Sequence, residues 1–106
     1  MGIQESAYDL SVRIAEAVRY LKEEVGEFPL SDKLLDCGVR AGISAREGGF
    51  KSAADYVRQA DYILEMAAKS GYLSERQSQP IRAECAALLA ALEEAERLQQ
   101  QETGMG

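Results

Sequence analysis

The amino-acid sequence predicts an all-α fold, an antiparallel up-down-up-down four-helix bundle, on three observations. Apolar residues recur at steps of three and four through four successive stretches, the stripe of an amphipathic helix. Glycine, proline and serine cluster in short segments between those stretches. The connections are brief, which makes successive helices antiparallel neighbours, and no β-strand is predicted. A chain of 106 residues is one domain, and folding at this size buries roughly 60 to 70% of the surface the unfolded chain exposes, enough for a single core. With 46% hydrophobic and 28% charged residues and only two prolines, the composition is that of a folded globular domain.

The first helix spans about residues 4–25, with Ala7, Leu10, Ile14, Ala17, Leu21 and Val25 on its core face. Gly26 is placed to end it, and Phe28-Pro29 turns the chain, because proline restricts its predecessor as well as itself. The second helix, about 31–47, opens on Ser31 as N-cap with Asp32 in the first turn, where a negative charge meets the positive end of the helix dipole. Leu34, Leu35, Val39 and Ile43 are expected to supply its core bulk, while Gly38 and Gly42 permit a neighbouring helix to approach closely. The third helix, about 52–70, carries the core stripe Ala53, Tyr56, Ala60, Ile63 and Ala67, and Gly71 stands where a left-handed cap residue belongs. Ser74 and Gln77 match a capping box for a fourth helix over about 75–99. Pro80 would disturb its second turn, so the regular part is expected from Ser78. Ile81, Cys85, Leu88, Leu92 and Ala95 form the stripe, Glu93 and Arg97 a favourable pair, and residues 100–106 a frayed tail.

Chemical motifs are scarce. The stretch SAREGGFKS, residues 44–52, resembles a phosphate-cradling loop only superficially. No strand precedes it, Phe50 intervenes before Lys51, and Glu47 would repel an anion. A corner between helices, with Phe50 tucked onto the bundle, accounts for it better. The chain has no histidine, so the usual imidazole base, its pairs with serine or cysteine, and the commonest nitrogen metal ligand are missing. Two distant cysteines, Cys37 and Cys85, make no structural zinc site and read as buried reduced thiols. Clustered carboxylates such as Glu93, Glu94 and Glu96 read as solvated faces. No enzyme activity, cofactor or metal is expected. No apolar run is long enough to span a membrane, and the first residues lack the regions of a secretory signal, so the expected location is cytoplasmic.

Binding is the remaining class. The third helix carries apolar residues beyond its stripe, and Tyr56, Tyr62, Leu64 and Met66 are the candidate surface for self-association. The net charge of −6 argues against a general nucleic-acid coat. The charge is uneven, however: Arg40, Arg46, Lys51 and Arg58 face only Glu47 and Asp55 between Gly38 and Ala60, a local +2 that leaves −8 for the rest. Those four cations are the candidate contacts for RNA or another anion.

The bundle layout, the Glu47-Gly48 corner and the run ADYILEMAAKSGYLS from Ala60 to Ser74 resemble a small bacterial four-helix-bundle family. It is the family encoded in 23S rRNA intervening sequences, and it includes the accessory variability determinants of diversity-generating retroelements. The resemblance covers about residues 28–98. It implies assembly into a five-fold ring and, for a retroelement member, binding to a reverse transcriptase and its RNA. Where many members carry Asn-Ile-Ala-Glu-Gly, this chain has Ser44-Ala45-Arg46-Glu47-Gly48, and its acidity departs from the basic RNA-binding barrels. The expectation is therefore a non-enzymatic oligomeric scaffold or accessory protein, with the pentamer implied by the resemblance and the reverse-transcriptase accessory as the alternative.

Overall fold

The structure, a computed structural model, describes residues 2–104. Its elements are α1 (Ile3–Tyr20), a π-helical turn (Leu21–Val25) that continues α1, α2 (Ser31–Arg46), α3 (Phe50–Lys69) and α4 (Glu75–Gly104). Each helix packs on the next, and α4 returns to α1, closing a four-cornered antiparallel bundle 52 Å long and 23 by 20 Å across. Leu10, Ile14 and Leu21 meet Leu34 and Cys37 of α2, Val57 and Leu64 of α3, and Cys85 and Leu92 of α4 in the shared core. Phe28 is buried beneath the end of α1, its ring 4.8 Å from that of Tyr72.

Local chemistry explains the boundaries. The SAREGGFKS corner is a helix stop: Gly49 N–H donates to Ser44 O and Gly48 N–H to Ala45 O, with Gly48 at φ +82°. That pair of bonds satisfies carbonyls the helix end would leave orphaned, and it needs a left-handed residue that glycine adopts without strain. The same arrangement closes α3 at Gly71, φ +86°. Phe50 opens α3, ahead of the expected start at Ser52, and packs half-buried on the core.

Other boundaries depart from the sequence reading. Ser31 does not cap α2; Leu30 holds the cap position without a side-chain bond, and Ser31 Oγ is buried with no hydrogen-bond partner among the described residues. An ion pair from Lys22 to Asp32, 2.6 Å, spans the turn instead. The Ser74–Gln77 capping box does form, with Gln77 N–H donating to Ser74 Oγ and Ser74 N–H to Gln77 Oε1. It starts α4 at Glu75 and leaves Pro80 inside the helix, so two satisfied donors outweigh the one bond that proline removes. Backbone helix continues to Gly104 where a frayed tail was expected from 100; residues 105 and 106 of that tail lie outside the described residues. Arg97 pairs with Glu94 rather than Glu93, which turns to Arg58 of α3.

The main correction concerns α2. Val39 and Ile43, expected in the core, face solvent, Ile43 at 52% exposure. Cys37, Gly38, Ala41 and Ala45 are buried in their place. The cause is the close approach of α1. Ile14 lies so near Gly38 that a Cβ there would sit 3.0 Å from Ile14 Cγ2, and a Cβ on Gly42 would sit 2.6 Å from Ser11 Oγ. Ser11 donates to Gly38 O at 2.7 Å across the same seam. The small face of α2 is therefore the packed face, and its bulky neighbours are carried outward.

Candidate interaction surfaces

The four cations do not form one surface. Arg46 lies over the ring of Tyr8, 5.7 Å from its centroid, on the α1–α2 seam. Arg40 binds Asp36 through Nε at 2.9 and 3.0 Å; that hydrogen bond and charge, with Tyr56 of α3 adding to them, hold its guanidinium above its ordinary pKa. Arg58 bridges Asp55 and Glu93, both at 2.9 Å, on the α3–α4 seam. Only Lys51 and Arg46 lack a carboxylate within ion-pair distance among the described residues. Exposed pairs of this kind contribute little stability, but they neutralise charge that phosphate would need. The local +2 of the sequence is thus spread over three seams and half spent internally.

The α3 surface is smaller than the sequence implied. Leu64, a candidate contact, is wholly buried at 0% exposure, because it and Val57 fall on the core side of the helix. It is withdrawn as a contact residue. Tyr56 is half-buried against the core beside Arg40. Tyr62, 64% exposed, and Met66, 40% exposed, remain outward, bordering a shallow hollow with Glu65, Lys69 and Ser70.

A larger apolar surface lies on α1 and α2. Tyr8 and Val12 are four residues apart on α1, and Val39 and Ile43 are four apart on α2; all four are exposed. Each is next in sequence, or one turn away, to the residues of the Ser11–Gly38–Gly42 contact, so the pairs run side by side along the outer edge of that seam. Half-buried Leu35 extends the row. The sequence reading missed it by assigning α2's core face by residue size. The available signal was the four-residue spacing of Gly38 and Gly42: once the glycines are accepted as the contact, Val39 and Ile43 must point away from it.

The α1–α4 seam is the sparsest of the four. Two hollows lie along it on either side of the ion pair Arg13–Glu84, 3.0 Å. One, of about 330 Å³, is lined by Ser6, Asp9, Glu84, Ala87, Leu88 and Ala91. The other, of about 260 Å³, lies between Arg13, Glu16, Ala17 and Tyr20 on one side and Leu73, Gln77, Pro80 and Ile81 on the other. A third hollow, of about 490 Å³, opens beside the π turn between Lys22, Gly26, Glu27, Phe28, Pro29, Ser31 and Asp32, where Lys22 is already tied to Asp32.

Among the described residues no serine or cysteine side chain is hydrogen-bonded to a carboxylate or an amine. Cys85 and Cys37 are buried free thiols; burial first, then the nearby Asp61 and Glu84, pushes Cys85 up to about 12, far from the thiolate range of reactive cysteines. Among the described residues no cluster of three or more Cys, Asp or Glu could hold a metal ion, and no helix is long and apolar enough to cross a membrane.

No protein-family model matches the chain, and no curated protein matches it. Among solved structures, the chain is similar to a protein of unknown function from the S23 ribosomal protein family of Bacteroides thetaiotaomicron, with a TM-score of 0.82 and 20% identity over 86% of this chain and 94% of that one. The likeness spans nearly the whole of both chains, and the all-α four-helix bundle is a fold the two proteins share.

Proposed function

We propose that this protein is a non-enzymatic helical-bundle scaffold or accessory protein that works as a homo-oligomer, with the outer α1–α2 face as its main adhesive surface. One observation carries the proposal: α2 buries alanine and glycine while turning Val39 and Ile43 outward beside Tyr8 and Val12. Four bulky apolar side chains held in a row on a small bundle are better explained by a partner than by water. Tyr62 and Met66 on α3 form a second, smaller apolar surface. The family resemblance supports a ring, with five-fold rings known among its members.

Light scattering of the purified protein at micromolar concentration tests the reading. The expected mass is a multiple of the 11.6 kDa chain, falling to one chain when Val39 and Ile43 are both replaced by serine. A wild-type monomer removes the proposal. The alternative, an accessory subunit that binds a reverse transcriptase and its RNA, would rest on Arg46 and Lys51, the two of the four candidate cations that have no ion pair among the described residues. It calls for a salt-dependent RNA affinity lost in the Arg46→Ala, Lys51→Ala variant. The dispersal of the four cations favours the scaffold reading.

A further inference from the structure

We infer that the hollow beside the π turn is a peptide site: it takes a short segment of a partner protein that carries arginine or lysine, with a backbone carbonyl of the segment capping α2 and the basic side chain pairing with Glu27. The site goes beyond the scaffold reading and does not depend on self-association. Unmade hydrogen bonds are the first argument. Ser31, 4% exposed, forms part of the wall of this hollow of about 490 Å³, and its Oγ has no partner among the described residues. A buried hydroxyl left without a partner is costly, so a group that completes it is favoured. Leu30, at the cap position, gives α2 no side-chain bond, and the N–H groups of Asp32 and Lys33 have no acceptor among the described residues. Three consecutive residues at the start of a 16-residue helix thus each carry an unmade bond.

The second argument is the kind of group that fits. Orphan N–H groups at the positive end of a helix dipole call for an oxygen acceptor. Charge decides which. Residues 22–33 carry Lys22 and Lys33 against Glu23, Glu24, Glu27 and Asp32, a local −2. Lys22 is tied to Asp32, while the three glutamates have no ion pair among the described residues. A phosphate or carboxylate would meet Glu27 and Asp32 on the wall. A peptide carbonyl accepts the same bonds without a charge. The stretch between the π turn and α2 agrees: the N–H of Glu27 and the carbonyls of Gly26 and Glu27 take part in no backbone bond among the described residues. A peptide backbone lying alongside them brings both donors and acceptors.

Side-chain preference is the third. Glu27 is exposed on the wall, with Phe28 and Pro29 next to it. Arginine and lysine join an apolar stem to a charged head, so the stem can rest on Pro29 while the head reaches Glu27. The π turn that borders the hollow ends on Gly26 at φ 106°, ψ −137°, a conformation that glycine adopts and bulkier residues resist. Such turns recur at functional sites.

Nuclear magnetic resonance titration of the full chain with N-acetyl-arginine amide tests this. The probe has two neutral carbonyls and the basic side chain, and a ligand of its size should bind with a dissociation constant on the order of 1 mM. The amide signals of Glu27, Asp32 and Lys33 should move together. N-acetyl-norleucine amide, which lacks the charge, should bind more weakly, and Glu27→Gln, at an exposed position, should erase the difference between the two probes. Ser31→Ala should keep or raise the melting temperature, because it removes an unpartnered buried hydroxyl, yet weaken the arginine probe about fivefold. A purely structural Ser31 would show the reverse, lower stability with binding intact, and that overturns the inference. So does the absence of shifts at these amides up to about 20 mM probe. Inorganic phosphate moving the same amides as strongly as the arginine probe would make the hollow an anion site and overturn the peptide assignment.

Discussion

Ser11 reaches from α1 to the backbone of α2, donating to the carbonyl oxygen of Gly38 at 2.7 Å, and Gly42 leaves the room for it to do so. A hydroxyl has one hydrogen to give, and Ala7 O at 3.0 Å competes for it. Gly42→Ala should therefore gain about 1 kcal/mol of helix propensity and lose about as much through the displaced hydrogen bond, for little net change. In a Ser11→Ala background the gain should survive alone. Urea denaturation of the four-member cycle should show a coupling of at least about 0.5 kcal/mol; additive effects would mean that the seam tolerates a methyl group without moving Ser11.

Leu64 and Tyr62, two residues apart on α3, should behave oppositely. Leu64→Ala removes a fully buried side chain and should cost about 2–5 kcal/mol of stability. Tyr62→Ala, mostly exposed, should change the stability of the isolated bundle by no more than about 0.5 kcal/mol. Thermal melts of both under conditions that hold the chain monomeric separate core from surface.

Gly48 at φ +82° has no heavy atom within 4 Å of where a Cβ would stand. The cost of Gly48→Ala is then backbone strain alone, about 1–2 kcal/mol. Gly49→Ala, at φ −85°, should cost less. Equal losses at the two positions would contradict the helix-stop geometry.

Cys85 should resist alkylation in the folded protein. Its thiol is raised from 9.0 to about 12, chiefly by burial. A group with a raised folded pKa favours the native state fully below its unfolded value, and that contribution is lost as pH climbs from about 9 toward 12. Iodoacetamide at pH 8 should label Cys85 only after unfolding, and stability should decline across the alkaline range. Replacing Cys85 by alanine should flatten the part of that decline due to the thiol.

Much of the fold could be read from spacing. Leu10, Ile14 and Leu21, and Ile81, Cys85, Leu88 and Leu92, lie where a period of three and four places them, all buried. Gly71 also takes the left-handed role that its position announced, and Gly48 takes the same role in the corner that ends α2. Periodicity fails on α2 because it shows that a helix has two faces without saying which is inward. Val39 and Ile43 outweigh Gly38 and Gly42 in bulk, but only the glycines fit against Ile14 and Ser11. The breadth of α3 misled for a related reason: Val57 and Leu64 look surplus to one stripe, yet a helix between two neighbours buries a wide arc. Pairings distant in sequence, such as Arg58 with Glu93 and Arg13 with Glu84, leave no local trace.

The π turn at Leu21–Val25 bears on how this chain tolerates changes in length. Gly26 N–H reaches back five residues to Leu21 O at 3.0 Å, so the turn holds one residue more than an α-turn would, and Val25 swings to the surface while Leu21 stays inside. The surplus is stored in helical bonding rather than in the connection that follows. Deleting Glu24 should let that end rewind in ordinary register and leave the tilted ring pair of Phe28 and Tyr72 undisturbed, giving the bundle a built-in allowance for single-residue insertion and loss.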